Sequence, residues 1–261
     1  MKNLGTLKYK VQVINYLDEF EISIFNLSEI KEHFNNDFLK IFRAIKSMTA
    51  EGILLHVQKG IYCRPSFRND YVLAYYLARR GGIAYWTALN LHGLTTQFPN
   101  IIFVQTPTKI ISKKVMGVFY QFVQVKVNKA SLYEFSGRGN NRFAMTSIEK
   151  TLVDCFDLMD YSAGWTELIK ALYKAKLNEL KLIEACEIVD NISVVKRLGY
   201  LIELMKKKNM RNFLKYAKSK INSKYNLLDP TSEDLGTFNA QWRLRLNVME
   251  NEIIDNFTNL Y

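Results

Sequence analysis

The apolar positions of the first ~65 residues fall into short periodic runs separated by polar breaks. Leu7, Val11, Ile14 and Leu17 recur at helical spacing and predict a first helix. Asn26 or Ser28 can cap a short second helix carrying Ile30 and Phe34, with Glu29 and Glu32 near its positive end. Asn35-Asn36 interrupts the pattern and can cap a third helix. There Phe38, Ile41, Phe42, Ile45 and Met48 form one apolar stripe at i, i+3, i+4, i+7 and i+10. Gly52 closes that helix, and residues 53–57 and 61–63 read as two short strands around Gln58-Lys59-Gly60. Helix, helix–turn–helix, hairpin is the element order of a winged helix-turn-helix.

The rest of the chain is longer and mixed. Residues 69–80 and 84–91 read as helices separated by Gly81-Gly82. That pair is the expected boundary between a 1–82 winged helix-turn-helix domain and an 83–261 domain. Residues 101–105 and 118–127 read as strands. The second alternates Val123, Val125 and Val127 on one face with Phe122, Gln124 and Lys126 on the other. Thr146-Ser147-Ile148-Glu149 reads as a capping box, Thr at N-cap and Glu at N3, opening a helix to about Met159. Helices follow at 163–174, 180–189, 194–207 and 209–221. Pro230 and Gly236 mark a loop, and 242–256 a last helix or strand. The predicted class is α+β: a winged helix-turn-helix followed by a mixed α/β C-terminal domain rich in helices.

Composition narrows the setting. Apolar residues are 48% and charged ones 23% of 261, an ordinary globular balance that argues against extended disorder. No apolar run approaches the ~18–20 residues of a membrane span. Lys2, Lys8 and Lys10 punctuate the start without a continuous apolar stretch, so no secretory leader is expected. Cys63, Cys155 and Cys186 are odd in number and far apart, which points to a reducing, cytoplasmic setting.

Charge adds a partner class. The net charge is +11, and residues 194–224 hold ten Lys or Arg against Glu203 alone. A solvated helical face is one reading. A phosphate-binding surface is the other, because clustered cations attract a polyanion and release its counterions. Charge by itself does not choose between nucleic acid and an anionic membrane.

On the third helix the face opposite the apolar stripe carries Asn36, Lys40, Arg43 and Ser47, flanked by Lys46. The second helix of a helix-turn-helix lies in the major groove. There Arg can pair with guanine and Asn with adenine, while Lys and Ser hold phosphates. The hairpin adds His56, Gln58, Lys59 and Arg64 near the neighbouring backbone. From the basic stretch, Lys206, Lys207, Lys208, Arg211 and Lys215 are expected to add phosphate contacts. Any amphipathic helix has polar residues opposite its core, and winged helices also bind proteins; the added charge favours DNA.

No catalytic constellation is visible. His33, His56 and His92 are scattered and far from any Cys at zinc-ligand spacing. Phosphate-loop, G-x-S-x-G and G-x-G-x-x-G patterns are missing. Asp154, Asp157 and Asp160 at i, i+3 and i+6, with Glu149 upstream, are conceivable metal ligands of a nuclease, but such spacing more often gives surface ion pairs or caps. No enzyme activity, metal or cofactor is expected.

Motifs along the chain resemble one family. Gly52-Ile-Leu-Leu-His-Val-Gln-Lys-Gly-Ile-Tyr62 is followed by Ile83-Ala-Tyr-Trp-Thr-Ala-Leu-Asn-Leu-His-Gly-Leu94. Then come Ile102-Phe-Val-Gln-Thr106, Thr146-Ser-Ile-Glu-Lys-Thr-Leu-Val-Asp154, Ala163-Gly-Trp165 and Arg197-Leu-Gly-Tyr-Leu-Ile-Glu203. Leu228-Asp-Pro230, Gly236 and Trp242-Arg-Leu244 complete the order. In sequence and order these resemble the AbiEi antitoxins of type IV toxin–antitoxin systems, also called transcriptional regulators of viral defence systems. Ala163-Gly164 stands where a Gly-Gly pair is common.

The resemblance implies an N-terminal winged helix and a C-terminal antitoxin domain. It implies repression of the chain's own toxin–antitoxin promoter through a double-stranded DNA operator of inverted repeats. It also implies neutralisation of a cognate nucleotidyltransferase-like toxin, in many members without a stable complex, with no membrane partner. Gly93, Thr146 and Gly199 take structural work as turn, cap and packing residues. Two alternatives stay open: a ligand-sensing winged-helix regulator without a toxin, and a DNA-processing enzyme using Asp154 and Asp157.

Overall fold

The computed structural model describes residues 2–79 and 81–258. Its first unit runs α1 (Lys2–Glu19), β1 (Ile24–Asn26), α2 (Leu27–His33), a 3-10 turn over Asn35–Asp37, and α3 (Phe38–Ala50). A hairpin of β2 (Leu55–Gln58) and β3 (Ile61–Cys63) completes it, turning through Gly60 at φ +82°, a left-handed conformation that favours glycine. β1 pairs antiparallel with β3, giving the order β1-β3-β2. At three residues, β1 is too short for alternation to reveal.

Helix α2 starts as its sequence predicts. The Asn26 side chain accepts from the Ser28 N–H at 3.0 Å, and the Glu29 carboxylate accepts from the Asn26 N–H at 3.0 Å. Helix α3 instead follows Asp37, with no side-chain cap bond, so Asn35 and Asn36 lie in the preceding turn. Helix α1 is rotated from its expected face. Val13 and Leu17 are buried, whereas Leu7 and Val11 are 59% and 47% exposed. The Lys10–Glu51 ion pair and the Tyr9 hydroxyl 3.5 Å from Asp37 anchor the other side of the helix. Val13 and Leu17 pack with Ile30, Ile41, Ile45, Met48 and Leu54.

The second unit continues with α4 (Asp70–Ala78), β4 (Gly82–Ile83), α5 (Tyr85–Leu91), β5 (Ile101–Thr106), β6 (Lys113–Val115) and β7 (Val118–Gln124). Next come β8 (Tyr133–Ser136), β9 (Phe143–Thr146), α6 (Ile148–Asp157), α7 (Trp165–Lys174), α8 (Glu179–Val189), α9 (Ile192–Leu204) and α10 (Arg211–Ser219). The chain closes with β10 (Asn226–Leu227), β11 (Thr237–Asn239), β12 (Leu244–Leu246) and α11 (Glu250–Thr258). The fold is mixed α/β, with eleven α-helices among the described residues.

Its main sheet has the order β6-β7-β5-β4-β9-β8, with β5∥β7 and β4∥β9 parallel and the other pairs antiparallel. Helices cover both faces, which is why β5 is an almost unbroken buried run. Ile102 and Val104 pack with Val72, Leu73 and Leu77 of α4, while Phe103 packs with α5, α6 and the helices beyond. The expected boundary at Gly81-Gly82 falls on β4, inside this sheet. Ile24, Ile61 and Cys63 share a core with α4, so the two units are joined through that helix.

Three local details differ from expectation. β7 ends at Gln124, and Val127 is 78% exposed beyond it. Ser147, not Thr146, caps α6 by accepting from the Lys150 N–H, while Glu149 accepts from the Asn178 N–H at 2.8 Å, bracing the start of α8. Thr146 is the last residue of β9, and its hydroxyl lies 2.7 Å from that of Thr151. Gly199 has a packing role: a Cβ there would stand 2.2 Å from Cζ3 of the buried Trp242 ring.

Candidate nucleic-acid interface

Because Ile41, Ala44, Ile45 and Met48 turn α3 inward, its opposite face is left to solvent. Lys40, Arg43 and Lys46 are exposed on it, with Asn36 exposed in the turn just before. Lys40 is paired with Asp37 at 2.8 Å and sits 5.4 Å from the Tyr9 ring centroid. Lys46 lies 4.9 Å from the Phe42 centroid. The Ser47 hydroxyl donates to Glu51 at 2.8 Å, which turns it back along the helix. Among the described residues, Arg43 has no hydrogen-bond or ion-pair partner, so its guanidinium keeps all its donors for a ligand.

At the hairpin the predicted residues divide. Lys59 is exposed at the tip beside Gly60. Arg64 is turned inward: its Nε donates to the Ile22 carbonyl at 3.0 Å, and its other end meets Asp18 at 2.6 Å. It therefore ties the end of α1 to β3. Gln58 accepts from Lys113 of the edge strand β6 at 2.6 Å. At the opposite edge, Asn140 after β8 donates to the Phe20 carbonyl at 2.6 Å. Both edges of the large sheet thus grip the first unit. Sequence reasoning missed these contacts because each joins residues far apart in the chain.

The basic stretch 194–224 is less of a surface than its composition suggests. Lys196 is fully buried, with its ammonium donating to Asn222 at 2.7 Å and Asn226 at 3.0 Å. Arg197 donates to the Leu227 carbonyl at 3.0 Å. Lys207 donates to the carbonyls of Leu172, Tyr173 and Ala175 at 2.8–2.9 Å, capping the C-terminal end of α7. Burial holds the Lys207 ammonium down, to a pKa of about 8. Lys218 pairs with Glu203 at 2.9 Å. Of the five predicted phosphate contacts, Lys206, Lys208, Arg211 and Lys215 remain exposed.

Of the carboxylates weighed as metal ligands, Asp154 and Asp157 are also committed. Asp154 is buried, not on the surface, and receives Lys150 Nζ at 2.5 and 2.6 Å and Gln105 Nε2 at 3.0 Å. Lys150 is itself 0% exposed, and Gln105 also donates to the Tyr85 hydroxyl at 3.1 Å. Burial pushes the Asp154 carboxyl up to about 6, with Lys150 pulling the other way. Asp157 binds Lys129 at 2.9 Å and Asn191 at 2.7 Å. Among the described residues, no group of three or more His, Cys, Asp or Glu converges as a metal cage. The three cysteines are free and buried.

With that geometry in place, comparison with known proteins bears on the fold. No family model matches the chain, and no curated protein does. A crystal structure of the RV2827C protein from Mycobacterium tuberculosis is similar, with a TM-score of 0.63 and 13% identity over 97% of this chain and 94% of that one. At that identity the likeness is one of fold alone.

Proposed function

We propose that residues 2–64 are a winged helix-turn-helix that reads duplex DNA, and that the chain is a repressor and antitoxin. The observation carrying the DNA half is the outward face of α3. Lys40, Arg43 and Lys46 stand on it in solvent, with Asn36 exposed in the turn before it and Arg43 unpaired among the described residues. That is the residue set of a major-groove helix: Arg and Asn for base edges, Lys for phosphates. Lys59 on the hairpin tip supplies a backbone contact of the wing type. Lys206, Lys208, Arg211 and Lys215 add long-range attraction to the same polyanion.

The antitoxin half rests on the ordered resemblance to the AbiEi family. On this reading the chain represses the promoter of its own operon at inverted repeats and neutralises a nucleotidyltransferase-like toxin encoded beside it. No catalysis by the chain is part of the proposal. One experiment addresses both halves. The chain is expressed with its neighbouring gene while its promoter drives a reporter, in wild-type and Arg43→Ala forms. Arg43→Ala should raise reporter output and still restore growth. Unchanged repression would remove the DNA-reading assignment, and persistent toxicity at matched wild-type expression would remove the antitoxin role.

A further inference from the structure

Beyond the C-terminal end of α10 lies a cleft of about 530 Å³, lined in part by Lys218, Asn222, Ser223, Gln241 and Arg243. Part of its lining, Ala240, Gln241 and Arg243, comes from the turn between β11 and β12 of the small sheet β10-β12-β11. Neither the α3 face nor the proposed phosphate contacts include these residues.

Beside the cleft, reached through Arg243, positive charge meets aromatic surface. Tyr225 and Phe238 meet edge-on, with centroids 4.9 Å apart, and Phe238 is 62% exposed. The Arg243 guanidinium lies 5.3 Å from the Tyr225 centroid, and that of Arg245 lies 5.2 Å from the Phe238 centroid. Beneath Asn222 sits the buried Lys196 ammonium, crowded by Lys224 and Arg243, which together with burial hold its pKa down. The acids nearby are spent: Glu203 on Lys218 and the Trp242 indole N–H at 2.7 Å, Asp234 on Arg245 at 2.7 Å. Arg211, Lys215 and Lys218, at i, i+4 and i+7, form an exposed row along α10 that leads into the cleft.

We propose that this cleft binds single-stranded nucleic acid. Successive phosphates follow the row Arg211, Lys215 and Lys218 to Arg243, and a base stacks on Phe238. A tracking line of cations beside an exposed aromatic ring is what an unpaired strand needs. Duplex DNA cannot use the aromatic face, because its bases are already stacked on each other. A mononucleotide reaches one end of the row only. The proposal shares Arg211 and Lys215 with the duplex reading but depends on Phe238, which the duplex reading does not use.

The test is fluorescence anisotropy with a labelled octauridylate and, separately, a 20-base-pair duplex. Phe238→Ala, an exposed substitution, should weaken octamer binding about tenfold and leave duplex binding unchanged. Lys218→Gln should lower the salt slope for the octamer by about 0.7. Uridine triphosphate should displace the octamer far less well than unlabelled octamer does. The proposal is overturned if the wild type does not bind the octamer, if Phe238→Ala changes nothing, or if the mononucleotide competes equally. Loss of the octamer effect with Arg43-dependent duplex binding intact would remove this cleft alone. Loss of duplex binding with the octamer effect intact would remove the α3 assignment alone.

Discussion

The α3 face and the 194–224 stretch are the two basic regions of the molecule, and they use their cations in opposite ways. On α3 the buried side is Ile41, Ala44, Ile45 and Met48, and Arg43 and Lys46 stand opposite it in solvent. In 194–224 the cations outnumber the acids ten to one, yet Lys196, Arg197 and Lys207 spend themselves on carbonyls and amides from other parts of the chain. A run of positive charge is therefore not a positive surface. Irregular chain segments leave orphan carbonyls, and a buried lysine or arginine is one way to satisfy them.

That contrast between spent and free cations can be pushed on directly. The largest effect belongs to the most deeply spent cation, Lys150, whose counter-charge is Asp154. Asp154→Asn leaves the ammonium buried without a partner charge and should cost about 3–5 kcal/mol of folding stability. Chemical denaturation measures it, and a loss below about 1 kcal/mol would show that the pair is not holding the core. Lys207→Met comes next. Removing the ammonium from three α7 carbonyls should cost about 1–3 kcal/mol of stability while leaving the salt dependence of DNA binding as it was. A reduced salt slope with unchanged melting would instead make Lys207 a phosphate contact. Smallest in stability is the combined Lys206→Gln, Lys208→Gln and Lys215→Gln variant, expected within about 0.5 kcal/mol of wild type. Its log–log salt slope on duplex DNA should flatten by about 0.9 for each lysine that meets a phosphate. An unaltered slope would confine the duplex interface to the first unit.

Much of this architecture is legible in the sequence, and the exceptions share a cause. Helices α2, α3 and α7 to α10 follow from their local sequence pattern, with the Asn26 cap of α2 also readable. The rotation of α1 is not legible. Its Leu7–Val11–Ile14–Leu17 stripe competes with one through Val13 and Leu17, and ties from Lys10 and Tyr9 to residues after position 36 go with the second. The α3 face is readable because it is the complement of a strong apolar stripe. Arg64 and Lys207 are held by carbonyls and a carboxylate that only the fold brings near, whereas Glu51, which holds Ser47, stands one helical turn on in the sequence. The placement of α4 on the main sheet also changes how the units should be separated. A fragment beginning near Ile83 would lose the helix that covers one face of β4 and β5, so a C-terminal fragment should begin before Asn69 instead.

Sequence reading by the α3 face turns on Arg43. Duplexes enriched from a random pool by the wild-type chain, and unselected duplexes of equal length, should be titrated with wild-type protein and with Arg43→Ala at one fixed salt concentration. Loss of a base contact predicts that Arg43→Ala binds the enriched duplex about 1–3 kcal/mol more weakly and narrows its preference over unselected DNA. Equal affinity of both proteins for the enriched duplex, with the fold intact by melting, would contradict the assignment of the α3 face.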